Sequence, residues 1–213
     1  MLIGTHLLNT KKNIKKMKTL EQLTDEELAT RYVDGNNRAF DVLLNRTQSK
    51  IFSYILFIVH DRDKADDIFQ ETFLKVIYRL QQGMYAATGK FIAWVMRIAH
   101  NVIMDQFRDN AAEPTVELAA DNNLANMGGA LVEGNIEGHF VNTQVMTDVR
   151  RLLDNLPTPQ REVVYMRFYQ DMSFREIAET TSVSINTALG RMRYALLNMR
   201  RMARENDVML QIV

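Results

Sequence analysis

Apolar residues recur along this chain at helical spacing, and no stretch shows the alternation of period two that a half-buried strand requires. Thr24 and Glu27 stand at capping-box spacing and predict a helix carrying Leu28, Tyr32 and Val33 on its apolar side. Asp34-Gly35-Asn36-Asn37 is a turn signal. A second helix holds Ala39, Phe40, Val42, Leu43 and Leu44. A third, from about Ser49 to His60, is apolar around nearly its whole circumference and so belongs in a core. Asp61-Arg62-Asp63 breaks it, and Ala65 to Gln81 reads as a fourth helix. Gln82 to Gly89, with two glycines, is a loop, and Lys90 to Arg108 is a fifth helix. Pro114, Gly128, Gly129, Gly134 and Gly138 then mark a soft linker. Asp148–Leu156 and Pro159–Gln170 open a second helical group.

The last two elements form a recognisable pair. Ser173 and Glu176 repeat the capping-box spacing, so a helix starts at Phe174 and buries Ile177 and Ala178 before Thr180, Thr181 and Ser182 end it. Ser184 caps a second helix, whose stripe Ile185, Ala188, Met192, Ala195 and Met199 faces inward by periodicity. Asn186, Thr187, Gly190, Arg193, Tyr194 and Leu197 are left outside. A helix-turn-helix sets the start of its second helix in the major groove, where amide, hydroxyl and guanidinium groups read base edges and arginines grip phosphates. The competing reading is an ordinary helical hairpin with a solvated basic face.

The formal net charge is zero over 213 residues, which is unexpected for a nucleic-acid binder until it is mapped. Residues 1–108 carry a net +4, residues 109–149 a net −7 with no Lys or Arg, and residues 150–213 a net +3. Two mildly basic lobes therefore flank an acidic connector. The expected architecture is all-α: two small helical bundles joined by a flexible acidic linker. Its divisions are a basic, disordered arm at 1–19, a first bundle at 20–110, the linker at 111–146 and the helix-turn-helix bundle at 147–213.

No cysteine is present, which excludes disulfides, thiol nucleophiles and Cys-based zinc sites, and is compatible with a reducing cytoplasm. The longest apolar run, Ile51 to Val59, is too short to span a bilayer, so no direct membrane insertion is expected. Residues 1–18 place Leu2, Ile3, Leu7 and Leu8 before their lysines, the reverse of a signal peptide. They read either as an arm or as translation upstream of a start at Met17. His6, His60, His100 and His139 have no partner spacing and read as surface or satisfied histidines. No phosphate loop, Ser-His-Asp order or paired catalytic carboxylates are present, so the chain reads as no enzyme, with no metal and no cofactor.

Two further segments carry chemistry. Asp63, Asp66, Asp67, Gln70 and Glu71 share one side of the fourth helix. Acids near a helix N-terminus are favourable in themselves, and a divalent metal needs carboxylates from several elements, which are lacking. A polar and aromatic stripe of this kind also suits a docking surface, with Phe69 or Phe73 as an anchor. On the fifth helix, Ile92, Val95, Met96, Ala99, Val102 and Ile103 form the inward stripe. Trp94, Arg97, Asn101 and Arg108 lie nearer the opposite side, with Tyr85 in the loop before. Aromatics beside Arg and Asn suit unstacked bases of single-stranded DNA. Packing in the core explains Trp94 equally well.

In this order, the segments Asp63–Phe73, Phe91–Asn101 and Ser173–Arg204 resemble the bacterial extracytoplasmic-function (ECF) sigma factors of RNA polymerase, over roughly residues 20–204. The resemblance implies a cytoplasmic promoter-specificity subunit whose partners are core polymerase, through the β′ clamp and the β flap, and promoter DNA. It assigns core binding to Asp66, Asp67, Gln70, Glu71 and Phe73. It assigns reading and melting of the −10 element to Tyr85, Trp94, Arg97, Asn101 and Arg108. Duplex reading at −35 falls to Ser184, Asn186, Thr187, Gly190, Arg191, Arg193 and Tyr194. An anti-sigma factor, often membrane-anchored in the family, is a further implied partner. Leu189 and Tyr194 depart from the basic residues many relatives carry there. The rival readings are a stand-alone helix-turn-helix regulator, and a helical metal-dependent hydrolase resting on Asp63, Asp66, Asp67 and Glu71.

Overall fold

A computed structural model describes residues 19–87, 89–112 and 139–205. After a 3-10 turn at Leu20–Gln22 come α1 (Asp25–Val33), α2 (Asn37–Val59), α3 (Arg62–Gln81), α4 (Phe91–Ala112), α5 (His139–Asp154), α6 (Thr158–Phe168), α7 (Phe174–Thr180) and α8 (Ile185–Glu205). The described residues contain no strand. The arm before Thr19 and the linker glycines and proline lie outside the described residues. So do most of the linker acids, Glu113, Glu117, Asp121, Glu133 and Glu137.

The capping predictions hold at atomic level. Thr24 N donates to Glu27 at 2.8 Å and Glu27 N donates back to the Thr24 hydroxyl at 3.2 Å. Ser173 and Glu176 make the same reciprocal pair at 2.8 and 3.3 Å. Each box satisfies two backbone groups that a helix start would otherwise leave open.

The second and third expected helices are one. Asn45-Arg46-Thr47-Gln48 contains no breaker, and α2 runs unbroken through it. Thr47 is fully buried there, its hydroxyl bonded back to the Leu43 carbonyl at 2.8 Å, which satisfies it without leaving the helix. Helix α3 begins at Arg62 rather than Ala65, because Asp61 accepts the Lys64 N–H at 3.1 Å and caps the turn. Helix α4 runs on to Ala112, and α5 begins at His139, earlier than Asp148.

The chain divides into two compact units. Among the described residues, the first comprises Thr19–Gln48 with those of Ile77–Phe91, and the second Ser49–Val76 with those from Ile92 onward. In the first unit Arg46 ties the entry of α1 to α2, donating to the carbonyls of Leu23 at 2.8 Å and Glu21 at 2.6 Å and to Asp25 at 3.0 Å. Leu28, Ala29, Ala39 and Leu43 are its buried apolar positions on α1 and α2. Gln81 donates to the Tyr32 hydroxyl at 3.1 Å, and Tyr32 packs on Phe40.

The second unit has the larger core. Ile51, Tyr54, Ile55 and Ile58 from α2, Ile68 and Val76 from α3, and Val95, Met96, Ile98, Ala99, Val102 and Ile103 from α4 are buried. Ile92, expected in that stripe, is only partly buried, whereas Ile98 takes a fully buried place. Helix α8 packs against α5, α6 and α7, and Val163, Met166, Ile177, Ala188 and Ala195 supply buried apolar side chains there.

Polar groups are also buried in this unit. Glu162 of α6, only 2% exposed, accepts a hydrogen bond from the Tyr54 hydroxyl, and Nδ1 of His100 lies 2.6 Å from the same oxygen. Burial first, and the Glu162 carboxylate second, hold the Tyr54 phenol well above its ordinary pKa. Next to Glu162, Arg161 donates to the Ile58 carbonyl and to the Asp154 carbonyl, both at 3.1 Å. Tyr165 packs 4.8 Å from Phe57 and stacks on Tyr169, and burial raises its phenol to about 12.

Candidate nucleic-acid interface

The helix-turn-helix is built from α7, α8 and the turn between them. Thr181 caps α7, Ser182 takes a left-handed φ of 54°, and Val183 N donates to the Ala178 carbonyl at 3.0 Å. This is the 6→1 bond of a Schellman motif, which closes a helix and redirects the chain within two residues. Ser184 restarts it. Its hydroxyl accepts the Thr187 N–H at 3.0 Å and pairs with the Thr187 hydroxyl at 2.8 Å.

Helix α8 buries Ala188, Met192, Ala195 and Ala203, while Met199 is only partly buried. Ile185, expected inside, is instead 47% exposed. At the first residue of a helix no preceding turn lies beneath the side chain, so periodicity alone does not fix its burial. Ser184, Asn186, Thr187, Arg193 and Tyr194 are exposed, and Gly190 and Arg191 partly so. The structure thus brings the seven expected positions together on and around the outer side of α8's first turns. Ser184 and Thr187 spend their hydroxyls on each other and on the helix start, so they position the helix. Five arginines against one glutamate make α8 a strongly basic rod.

Among the first-bundle positions, Tyr85 belongs to the first unit, where its hydroxyl donates to Glu26 at 3.1 Å and its ring meets Phe91 edge-on at 5.4 Å. Glu26 also accepts the Phe91 N–H at 3.2 Å, so one carboxylate holds the loop aromatic and the start of α4. Burial and this carboxylate push the Tyr85 phenol well up, so it stays neutral. In the second unit Trp94, Arg97, Asn101 and Arg108 share one side of α4. Asn101 and Arg108 are exposed, and Trp94 and Arg97 are partly buried. Arg108 pairs with Asp105 on its own helix, and Arg97 lies 4.0 Å from Glu179 of α7.

On α3, Asp67 and Gln70 are exposed, with Asp66 and Glu71 partly so and Glu71 paired to Lys75 at 2.7 Å. Phe73 is not presented. It is 6% exposed and packs at 4.7 Å against Phe69, which in turn meets Phe52 at 5.7 Å. Leu74, four residues after Gln70 and 67% exposed, is the apolar side chain offered on that face, and sequence reasoning missed it. Its signal was present: an exposed polar face at 67, 70 and 71 continues to 74 at helical spacing. His100, expected as a surface or satisfied histidine, is a buried and satisfied one. No group of three or more His, Asp or Glu that could hold a metal occurs among the described residues. No described helix is long and apolar enough to cross a membrane.

Comparison with known proteins places these features. The helical segment at residues 43–113 matches the model "Sigma-70 region 2", and residues 146–196 match "Sigma-70, region 4". The fold and site therefore define a sigma-70-type subunit of RNA polymerase. The chain is 30% identical over 176 residues to the ECF RNA polymerase sigma-E factor of Salmonella typhimurium, covering 80% of this chain and 90% of that protein. It is 26% identical over 180 residues to the RNA polymerase sigma-H factor of Pseudomonas aeruginosa, with 81% and 90% covered. It belongs to the ECF family of RNA polymerase sigma factors. In fold it matches CnrH, solved with the cytosolic domain of CnrY, at a TM-score of 0.59, 22% identity and coverage of 85% of this chain and 97% of that one. It matches the sigma factor RpoE of Bartonella quintana, solved with the anti-sigma factor NepR, also at 0.59, with 19% identity and coverage of 78% and 96%. The protein is a polymerase-binding, promoter-specific sigma factor. A stand-alone helix-turn-helix regulator would leave the region 2 match at 43–113 without a role.

Proposed function

We propose that this sigma factor acts in the cytoplasm without catalytic activity of its own and divides its work among three surfaces. The −35 element is read as duplex by α8, through Asn186, Arg193 and Tyr194, with Gly190 and Arg191 beside them and Ser184 and Thr187 fixing the helix start. The −10 strand is engaged by Asn101, Arg97, Arg108 and Trp94 on α4, and by the loop aromatic Tyr85. Core polymerase is held by the polar face of α3, Asp66, Asp67, Gln70 and Glu71, with Phe73 setting that face from beneath. The domain limits follow the same division: a first bundle at 20–110, a linker at 111–146 and a second bundle at 147–213. An anti-sigma factor fits as a regulator, because the sigma factor RpoE of Bartonella quintana, of like fold, was solved with the anti-sigma factor NepR.

One observation carries this reading. A doubly capped helix-turn-helix presents an amide, a guanidinium and an open glycine on one face of an arginine-rich helix. That is the chemistry direct readout requires. Transcription in vitro with core polymerase on a promoter library tests it. Asn186→Ala or Arg193→Ala should relax selectivity at one base position by about 1–3 kcal/mol. A uniform loss over all sequences would reduce that residue to a phosphate contact. Asp67→Arg should abolish co-purification with core polymerase, and unchanged recovery would remove α3 from the core-binding surface.

A further inference from the structure

The entry of α8 carries apolar side chains that its packing does not use. The helix buries Ala188, Met192 and Ala195, yet Ile185 is 47% and Leu189 is 44% exposed. They stand one turn apart and flank the face that bears Asn186, Gly190 and Arg193. Four residues of helix rise about 6 Å, close to two steps of about 3.4 Å along a DNA strand. Leu196 and Leu197, also exposed, lie some two turns farther along the helix and outside the reach of its N-terminal turns.

Gly190 adds a second observation. Its φ is not left-handed, and a Cβ built there meets nothing within 4 Å. Neither backbone conformation nor internal packing calls for glycine at this point, although glycine is unfavourable in a helix interior. What the missing side chain leaves open is the outer surface of the helix, next to Leu189.

Together these features select a ligand. The arginines of α8 suit the phosphates of a duplex, and in the major groove the one apolar group on a base edge is the C5-methyl of thymine. We infer that Ile185 and Leu189 read thymine methyl groups within the −35 element, with Gly190 letting the helix backbone approach the bases closely. The inference rests on α8 as the −35 reader and adds the base it selects.

The test uses full-length protein assembled with core polymerase. Selection from a randomised upstream element first gives the preferred −35 sequence. Each thymine in it is then replaced by deoxyuridine, which removes only the methyl group. At one or two positions the replacement should weaken binding about fourfold, the value of one buried methyl group. Leu189→Ala should bind thymine and deoxyuridine promoters equally, with an unchanged melting temperature, and Ile185→Ala should do the same at the neighbouring position. Intact upstream selectivity with no deoxyuridine effect overturns the inference and leaves the −35 assignment standing. A Leu189→Ala variant that assembles poorly with core polymerase also overturns it, by making the patch a protein contact. Absence of any upstream preference in the wild type overturns both.

Discussion

Nδ1 of His100 lies 2.6 Å from a carboxylate oxygen of Glu162, a residue 62 positions later in the chain. The same oxygen accepts the Tyr54 hydroxyl, so one buried carboxylate serves two partners, on α2 and α4, from its place on α6. Removing Glu162 leaves two buried polar groups without a partner, whereas removing the Tyr54 hydroxyl leaves Glu162 bonded to His100. Glu162→Ala should therefore cost about 2–4 kcal/mol and Tyr54→Phe about 1 kcal/mol. Urea denaturation of the full chain measures both. Equal losses would mean that the carboxylate is not shared.

His60 gives stability a pH dependence. Burial, and then the Arg161 charge, lower its pKa below the ordinary 6.5, and Asp154 at 4.0 Å opposes them only in part. The unfolded chain then takes up the proton at higher pH than the folded one. The stability tied to a neutral His60 is complete above about pH 6.5 and drains away as pH falls toward the folded value. His60 also holds a φ of 55°, which asparagine tolerates better than most residues. His60→Asn should flatten the slope of the urea midpoint between pH 7 and pH 5 without disturbing the turn. An unchanged slope would assign the effect to another group.

Thr72 on α3 is fully buried, and its hydroxyl has no hydrogen-bond partner among the described residues. Valine has nearly the same shape without that group. Thr72→Val should stabilise the protein by about 1 kcal/mol, raising Tm by roughly 2–4 °C. Calorimetry decides it, and a lowered Tm would show that the hydroxyl is satisfied in solution.

Gly190→Ala should separate folding from function. Alanine fits the open space and should stabilise α8 by about 1 kcal/mol. It should at the same time weaken binding of a −35 duplex by the holoenzyme, because its methyl group occupies the close approach. A variant more stable and equally active would show that the glycine has no role at the DNA.

Glu179 competes for Arg97. The two lie 4.0 Å apart, and Arg175 holds the same glutamate at 3.1 Å. Both side chains of the Arg97 pair are more than a third exposed, so the attraction is weak and screened by salt. Glu179→Ala should raise affinity for −10 strand DNA modestly, roughly two- to threefold at low salt, with the gain vanishing at high salt. A gain that persists at high salt would point to a change other than the release of Arg97.

Much of this was legible in sequence because its determinants are local. Capping boxes span four residues, and the structure closes them atom for atom at Thr24–Glu27 and Ser173–Glu176. The polar face of α8 follows from periodicity over several turns. Where no neighbouring turn or breaker constrained the reading, it failed. Residues 45–48 looked like a junction and are helix, and Ile185 at a helix end looked buried and is exposed. Phe73 looked like an anchor because it lies close to Asp66 and Gln70 in a polar stretch. Its burial is decided by Phe69 and Phe52, and one of those comes from another helix.

Most of the helices, the capping boxes, the helix-turn-helix and the family are legible along the chain, because backbone hydrogen bonding and amphipathic spacing act over a few residues. It takes the packed fold to join Glu162 to Tyr54 and His100, to bring Arg161 to the Ile58 carbonyl, and to set Glu179 beside Arg97. Partners separated by 62 to 108 residues leave no periodic trace along the chain. Burying a polar group away from water is costly until a partner arrives, so the folded core, and no local pattern, selects which groups meet.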